Sequence, residues 1–352
     1  MKLERRTFLT GAAALAGAGA VSIPRLSAQG TSKIKFLGAA AVARPDQGFM
    51  FLGIPTGFYK ALSIDADFMT IAGSAAVIQL LTSGAVDVGH VGMMELLAAK
   101  QRSPRLPVKA VYLQEWGSGY EIVLPSTSPL REVKDLAGKR IGVLSLASGA
   151  VPMVQAMLRH AGVDPGKVEL LPVGAGAPAL AALRSNQVDA LSLFRGSHAA
   201  LESMGIQLRY LTVSLPSSVL AVNEEMLAKN PGVIVRALQG VVQNTAYIET
   251  NSSAAVKRYW DVFGKPGGDE AKALRENALL VQRSAELWKQ ISNPRPWGDM
   301  NDTTWLDLID YMGAEGGIKL GKGDLSQVYS NELIAEVNKV DIGPAVEAAR
   351  KA

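Results

Sequence analysis

The stretch KRIGVLSLASGAVPMVQAMLRHAGVDPGKVELLPVGAGAPALAALRSNQVDALSLFR, residues 139–195, determines the fold. Short apolar runs alternate in it with segments of helical spacing, and loops of small residues follow the first two apolar runs. A strand–helix–strand–helix–strand order predicts parallel strands joined by right-handed crossovers, so we expect an α/β fold. The predicted strands cover 141–144, 168–173 and 188–194, and the predicted helices cover 152–160 and 178–184.

An earlier part of the chain repeats this pattern. Displaced by 102 positions, from 87 to 189, Asp87 falls on Asp189 and Val86 falls on Val188. Both copies read strand, small-residue loop, helix, Ser-x-x-Val-Asp, strand, which predicts two similar lobes with the chain crossing between them near Gly117 and near Pro216. Ligands of open α/β sheets bind beyond the carboxyl ends of the strands, so we expect a cleft between the lobes. Beyond residue 224 the spacing predicts helices, including one at 270–291.

The first residues have the features of an export signal. The pair Arg5 and Arg6 precedes Phe-Leu, a Gly/Ala-rich run follows at 11–23, and a small-residue cleavage site ends at Ala28. We interpret residues 1–28 as a twin-arginine signal peptide, because the apolar run is shorter than the roughly 20 residues that a membrane anchor needs. The protein is therefore predicted to be periplasmic.

The composition excludes several classes of function. The signal peptide, with four basic residues and one acidic residue, carries +3 of the net charge of +4, so the mature protein is almost neutral and we expect no nucleic-acid partner. The absence of cysteine excludes disulfides, thiolate metal sites and a lipoprotein anchor. The three histidines lack metal-ligand spacing and no hydrolase or nucleotide motif is complete, so we expect no metal, cofactor or catalytic site.

Helix starts on small-residue loops are the candidate binding elements. Their free N–H groups and the helix dipole favour an anion, although capping explains any single loop equally well. Arg195 is a candidate partner for a carboxylate or sulfonate, with a surface ion pair as the alternative, and Trp116 and Phe194 are candidate stacking residues, with packing as the alternative. The helix starts are at Gly73–Ser74, Gly92–Met93, Ser148–Gly149 and 174–176.

Several segments resemble one protein family: GFYK at 57–60, SGAVD at 83–87, DLAGKRIGV at 135–143 and VNEE at 222–225. On these segments the chain is similar, over residues 33–251, to periplasmic solute-binding proteins of ABC importers, in the group for nitrate, taurine, alkanesulfonates and thiamine-pyrimidine precursors. The resemblance implies a two-lobed type II binding-protein fold, in which each lobe is a mostly parallel sheet flanked by helices. It implies lobe 1 at 31–117 and 217–352, and lobe 2 at 118–216.

The resemblance also implies a function. We expect the substrate-binding component of an ABC importer, a monomer that delivers a small organic anion (a sulfonate, a carboxylate or a nitrate-like ion) to a membrane permease and its ATPase. The alternatives are a binding protein for a neutral or cationic heteroaromatic such as a thiamine-pyrimidine precursor, a pyrimidine-synthesis enzyme of the same fold, and a sensor component. The expected ligand contacts are Ala41, Arg44, Gln47, Gly73, Ser74, Gly92, Met93, Gln114, Trp116, Ser145, Ser148, Gly149, Gly174, Phe194 and Arg195.

Overall fold

Two five-stranded sheets form the framework of the protein. The computed structural model describes residues 30–146, 148–288, 291 and 295–352, so the predicted signal peptide, 1–28, lies outside the described residues. The strands are β1 (Ser32–Gly38), β2 (Ile64–Thr70), β3 (Val88–Gly92), β4 (Val108–Glu115), β5 (Tyr120–Pro125), β6 (Arg140–Val143), β7 (Glu169–Pro172), β8 (Ala190–Phe194), β9 (Leu208–Leu211) and β10 (Ser218–Asn223).

Helices pack around both sheets, and the last third of the described chain is mostly helical. They are α1 (Gly48–Phe51), α2 (Gly53–Thr56), α3 (Phe58–Ala61), α4 (Ser74–Thr82), α5 (Met93–Arg102), α6 (Ala150–His160), α7 (Ala177–Arg184), α8 (Arg195–Ser203), α9 (Glu224–Lys229), α10 (Pro231–Thr250), α11 (Ser252–Phe263), α12 (Glu270–Ala285), α13 (Asp302–Gly316), α14 (Leu325–Val328), α15 (Ile334–Val337) and α16 (Gly343–Lys351). Short 3₁₀ turns lie at Pro45–Gln47, Val133–Leu136, Pro165–Lys167 and Lys322–Asp324. None of the helices in the described ranges is both long and apolar enough to cross a membrane.

The two sheets share one topology. The first has the strand order β2-β1-β3-β10-β4 and the second has the order β7-β6-β8-β5-β9. In the first sheet β10 runs antiparallel to β3 and β4, and in the second β5 runs antiparallel to β8 and β9. Four strands of each sheet therefore point the same way, and the reversed strand is the one that follows a crossing from the other sheet. The predicted α/β, two-lobed architecture is confirmed.

The sequence repeat marks one hydrogen-bonding arrangement that occurs in both sheets. Asp87 Oδ2 accepts a hydrogen bond from the Lys35 N–H at 2.8 Å, in the middle of β1, and Asp189 Oδ2 accepts one from the Arg140 N–H at 2.9 Å, at the start of β6. The N–H of each aspartate in turn donates to the carbonyl of the same partner residue. Each aspartate directly precedes a strand, β3 or β8, and ties the start of that strand to the neighbouring parallel strand, which explains why the motif recurs.

The five elements predicted within residues 139–195 are all present, and their ends differ from the prediction by at most two residues. The helix predicted at 270–291 is shorter than expected, since α12 ends at Ala285 and a turn follows. The turn buries the Trp288 ring against Phe49, with centroids 5.4 Å apart, and presents the Leu287 carbonyl to the Trp116 N–H at 2.9 Å. Tertiary packing therefore ends a helix that its spacing would have continued.

The chain passes between the sheets at 116–119 and at 212–217. The C-terminal helices follow the return to the first sheet, yet α12 packs against α8 and α13 packs against α6, and both α8 and α6 belong to the second sheet's helices. The core reflects this arrangement, because one buried cluster includes Leu37 of β1, Ile141 of β6 and Trp305 of α13. The predicted lobe boundaries stay a prediction.

Candidate binding cleft

A cavity of about 410 Å³ lies between the two sheets. Its lining comes from the carboxyl ends of the parallel strands and from the first residues of the two reversed strands, which lie at the same edge. This is the position where open α/β sheets bind ligands. Seven of the expected contacts line it, and whether they touch a ligand stays a prediction: Arg44, Gln47, Gly73, Ser74, Gly92, Ser148 and Phe194.

The other expected contacts lie outside the lining of this cavity. Ala41 and Ser145 are exposed beside it, Gly174 is partly exposed on its loop, and Gly149 lines a neighbouring cavity. Met93 is buried and its N–H donates to the Ser217 carbonyl at 2.9 Å, so that donor is already used.

Arg195 forms ion pairs within the protein, whereas we expected it to contact the ligand. Its Nη2 forms a short hydrogen bond with Glu121 Oε1, and its Nη1 donates to Glu286 Oε2 at 2.9 Å. Its guanidinium also lies over the Tyr210 ring, 4.9 Å from the centroid. The structure therefore commits this cation to an internal ion-pair network beside the cleft, because a buried guanidinium is stable only with carboxylate partners.

Gln114 and Trp116 also face away from the cavity. Side chains alternate along a strand, and in β4 the residue that faces the cavity is Glu115 while Gln114 is buried on the opposite side. The Trp116 ring is covered by the guanidinium of Arg295, whose Cζ lies 3.7 Å from the ring centroid. Its aromatic face is therefore engaged within the protein rather than presented to the cavity.

Arg44 supplies the positive charge of the cleft, and among the described lining residues it is the one arginine or lysine. Its Nε and Nη2 donate to the two carboxylate oxygens of Asp46 at 3.0 and 2.9 Å, and its side chain remains 37% exposed. Asp46 also accepts a hydrogen bond from Ser284 of α12 at 3.2 Å. Across the cleft, the Arg44 Cζ lies 5.4 Å from the centroid of the Phe194 ring. An oriented, partly exposed guanidinium of this kind is suited to a carboxylate or sulfonate.

Polar side chains at the start of β10 and on the adjacent strands β3 and β4 form the back of the cleft. His90 Nε2 and Ser218 Oγ are hydrogen-bonded at 2.8 Å, and burial lowers the pKa of His90 to about 4, so its ring is neutral at physiological pH. The Ser217 hydroxyl donates to Glu115 Oε2 at 2.8 Å. Burial raises the pKa of Glu115 above its ordinary value, although hydrogen bonds from Ser217 and Ser218 oppose the shift.

The Glu95 carboxylate makes the start of α5 less favourable for an anion. Its carboxylate folds back over Gly92, where an added Cβ would lie 2.0 Å from Glu95 Oε2. The Gly92 N–H donates to Ser74 Oγ at 3.0 Å. An acidic side chain in the first turn already neutralises the positive end of this helix. The starts of α4 and α6 are therefore better placed to receive an anion than the start of α5.

The sequence reasoning missed most of the polar groups of the cleft. Asp46 and Glu115 each adjoin an expected contact in the sequence. Ser217 and Ser218 lie in the segment that was interpreted only as a crossing. His90 was considered only as one of three histidines without metal-ligand spacing, yet it lines the cleft. At the end of each strand, the residue whose side chain points toward the opposite sheet is the natural candidate, and this criterion would have identified Glu115. No cluster of three or more metal-ligating side chains occurs in the described part of the chain.

The comparisons with known proteins agree with this architecture. The chain is 24% identical over 295 residues to the taurine-binding periplasmic protein of Escherichia coli (strain K12), covering 79% of this chain and 86% of that protein. The alkanesulfonate-binding protein SsuA from Xanthomonas axonopodis pv. citri bound to MOPS superposes with a TM-score of 0.57 at 17% identity, over 88% of this chain and 99% of that one. The periplasmic nitrate-binding protein NrtA from Synechocystis PCC 6803 gives a TM-score of 0.57 at 14% identity, over 88% and 89% of the two chains.

These solved structures have the periplasmic binding protein fold, as the chain does. A family model, "NMT1/THI5 like", matches residues 44–255, which is more than half of the chain and includes most of the cleft. The relatives named above are binding proteins by their descriptions, and the expectation that the chain is not an enzyme agrees with them. The chain therefore belongs to the NMT1/THI5-like family of solute-binding proteins, as its sequence motifs indicated.

Proposed function

We propose that this protein is the substrate-binding component of an ABC-type importer, and that it captures a small organic anion in the cleft and delivers it to a membrane permease. The observation that carries the proposal is the partly exposed guanidinium of Arg44, held by Asp46 at the carboxyl edge of the sheets and facing Phe194 of the opposite sheet. The taurine-binding, alkanesulfonate-binding and nitrate-binding relatives support an anionic ligand. Their periplasmic location supports the same location for this protein, and twin-arginine export stays a prediction.

The charges of the cleft favour a ligand that carries a cationic or hydrogen-bond-donating group as well as an anionic one. From the sequence we expected the helix starts to favour an anion, and Asp46, Glu95 and Glu115 also line the cavity. Because Arg44 is already paired with Asp46, Glu95 and Glu115 leave an acidic excess on the side of the cavity near Ser217. We therefore propose an amino sulfonate or amino acid, whose acidic group binds near Arg44 and the start of α4 and whose ammonium group faces Glu115 and Glu95.

The size of the cleft supports an organic ligand over a nitrate-like ion. A volume of about 410 Å³ lies within the usual range of small-molecule pockets. One water takes up about 30 Å³ of liquid, so a nitrate ion with four heavy atoms would leave most of this space to solvent. An organic molecule of ten or so heavy atoms fits the volume better.

A second candidate is a neutral or cationic heteroaromatic, such as a pyrimidine. It is favoured by the carboxylates just described and by the aromatic rings of Phe49, Tyr120 and Phe194 in the same lining. In that case stacking would contribute more than the guanidinium, and the Phe194 ring would matter more than Arg44.

Isothermal titration calorimetry on the purified protein tests both candidates. Replacing Arg44 by Met removes one charge-assisted hydrogen-bonding group, worth about 1.5–3 kcal/mol, so we expect taurine to bind about 10- to 150-fold more weakly. Arg44→Lys keeps the charge and should recover part of the loss, while Arg131→Met, at an exposed arginine outside the cleft, should have no effect. Thermal unfolding of each variant verifies that it is folded.

Two results would contradict the anion proposal. One is unchanged taurine affinity in a folded Arg44→Met variant. The other is binding of 4-aminopyrimidine but not of taurine, with a larger loss of affinity from Phe194→Ala than from Arg44→Met, which would favour the heteroaromatic candidate.

A further inference from the structure

A second cavity of about 240 Å³ adjoins the cleft behind the crossings between the sheets. It lies between the starts of α5 and α6, which belong to different sheets, and α13 forms its far wall. Its walls are mainly apolar, and three methionines stand out among them: Met94 of α5, Met153 of α6 and Met312 of α13. We call this cavity the side chamber.

The side chamber and the cleft are adjacent and share three lining residues. Glu95, Tyr120 and Ser217 line both cavities. The Tyr120 ring lies against the start of α6, since an added Cβ at Gly149 would be 3.0 Å from its Cε2. Tyr120 also forms an edge-on contact with Phe194, with centroids 5.9 Å apart. One aromatic side chain thus stands at the junction, with the charged cleft on one side and the methionines on the other.

Two of the polar groups that border the side chamber have partners within the protein. The Ser118 hydroxyl donates to the Tyr120 carbonyl at 2.7 Å, and Glu315 of α13 is ion-paired with Arg159 of α6. Part of the wall belongs to the core, because Leu308 is 1% exposed and Met312 is 3% exposed. A space of this kind has little affinity for a charged group and is suited to a nonpolar one, and methionine adapts readily to rings of different shape.

We infer that the side chamber holds a nonpolar group of the ligand, about the size of an aromatic ring, while the ligand's charged groups lie in the cleft. An apolar cavity of about 150 Å³ is enough to hold benzene, so a chamber of about 240 Å³ accommodates a ring with a short linker. The inference rests on the proposed function for the charged part of the ligand. It adds that the ligand is larger and more hydrophobic than taurine, and that it enters the chamber beside Glu95, where we place its ammonium group.

A matched pair of ligands tests the inference by titration calorimetry. Taurine and N-benzyltaurine carry the same sulfonate and an amine that is protonated at neutral pH, and the second replaces one hydrogen on the nitrogen by a benzyl group. Full burial of a side chain of that size corresponds to about 10- to 150-fold in affinity, so N-benzyltaurine should bind the wild-type protein tighter than taurine by that factor. Equal or weaker binding of N-benzyltaurine would overturn the side chamber and leave the proposed function intact.

A variant that fills the side chamber locates the effect. Ala98 of α5 lines the chamber and does not line the cleft, so Ala98→Phe should abolish the advantage of N-benzyltaurine and change taurine affinity by less than about twofold. The matched control is Ala200→Phe, at an exposed alanine of α8, which should keep the advantage. An advantage that persists in a folded Ala98→Phe variant would place the phenyl ring elsewhere and refute the inference.

A neutral probe separates the side chamber from the charged cleft. Toluene carries no charged group, and its binding to the wild-type protein is measured by changes in the methionine methyl signals in nuclear magnetic resonance spectra. If neither taurine nor N-benzyltaurine binds, the ligand class proposed above fails, and toluene alone decides the inference. Toluene binding that is lost in Ala98→Phe supports a nonpolar site, whereas no toluene binding to the wild-type protein rejects it.

Discussion

Replacing Arg195 by Ala should destabilise the protein strongly rather than remove a ligand contact. Arg195 is buried and pairs with Glu121 and Glu286, and Glu121 is only 1% exposed. Removing one partner of a buried ion pair leaves an uncompensated charge, which costs about 3–5 kcal/mol in the free energy of unfolding. Ligand affinity of the protein that remains folded should change by less than about threefold, since Arg195 does not line the cleft.

The loss of stability should depend on pH with a defined sign. Burial already raises the pKa of Glu121 to about 7 in the presence of Arg195, whose positive charge opposes the shift. Without Arg195 the pKa of Glu121 rises further. A carboxyl group whose pKa is raised in the folded state binds more protons there than in the unfolded state, so stability falls as pH rises from the unfolded pKa of about 4.3 through the folded value. The deficit of Arg195→Ala should therefore be largest near pH 8 and shrink toward pH 5.

Urea denaturation followed by circular dichroism near pH 5 and pH 8 measures this deficit. The double variant Arg195→Met, Glu121→Leu replaces both charges by apolar groups and should recover most of the lost stability, while Arg131→Met, at an exposed arginine, serves as the control. A deficit below about 1 kcal/mol at pH 8, together with a loss of taurine affinity above tenfold, would refute the structural role and return Arg195 to the ligand site.

Three further predictions concern protonation, closure and export. The pKa of His90 is lowered to about 4, so its ring should stay neutral from about pH 8 to 5.5, and the contribution of His90 to stability should be lost as the pH drops from about 6.5 toward 4; histidine resonances in nuclear magnetic resonance spectra give the titration directly. Arg283→Met should cut the link from α12 to α8 and raise the radius of gyration in small-angle scattering, whereas Arg275→Met, exposed on the same helix, should not. Replacing Arg5 and Arg6 by Lys should leave precursor in the cytoplasm, and normal periplasmic yield would contradict the twin-arginine interpretation.

The fold was predictable because its signals are local and repeated. The strands of residues 139–195 are short apolar runs bounded by glycine loops, and Asp87 and Asp189 make the same hydrogen bond at the start of a strand in each sheet. Such a bond requires one residue type at one position, so it leaves a trace that a single sequence reveals. The end of α12 was not predictable, because it depends on the packing of Trp288 against Phe49, which lies more than two hundred residues away along the chain.

The cleft was predictable in position and much less so in chemistry. The edge of the sheets follows from the order of the strands, and so does the presence of Ser74, Ser148 and Phe194 there. Which cation faces the ligand depends on pairing across the fold. Arg195 and Arg44 both follow from sequence reasoning as candidates, but only the structure shows that Glu121 and Glu286 engage the first.

Ion pairs and packing contacts of helix α12 oppose the separation of the two sheets at the cleft. Ser284 of this helix holds Asp46 in the cleft, while Arg283 binds Glu202 of α8 at 2.8 Å. At Gly196, an added Cβ would lie 2.7 Å from the Leu280 side chain, so the two helices are in close contact. The contacts of α12 thus join the two sheets in addition to the crossings at 116–119 and 212–217. Separation of the sheets therefore requires α12 to slide along α8 or its ion pairs to break. Since partly exposed ion pairs weaken in salt, the resistance of the two sheets to separation becomes a function of ionic strength.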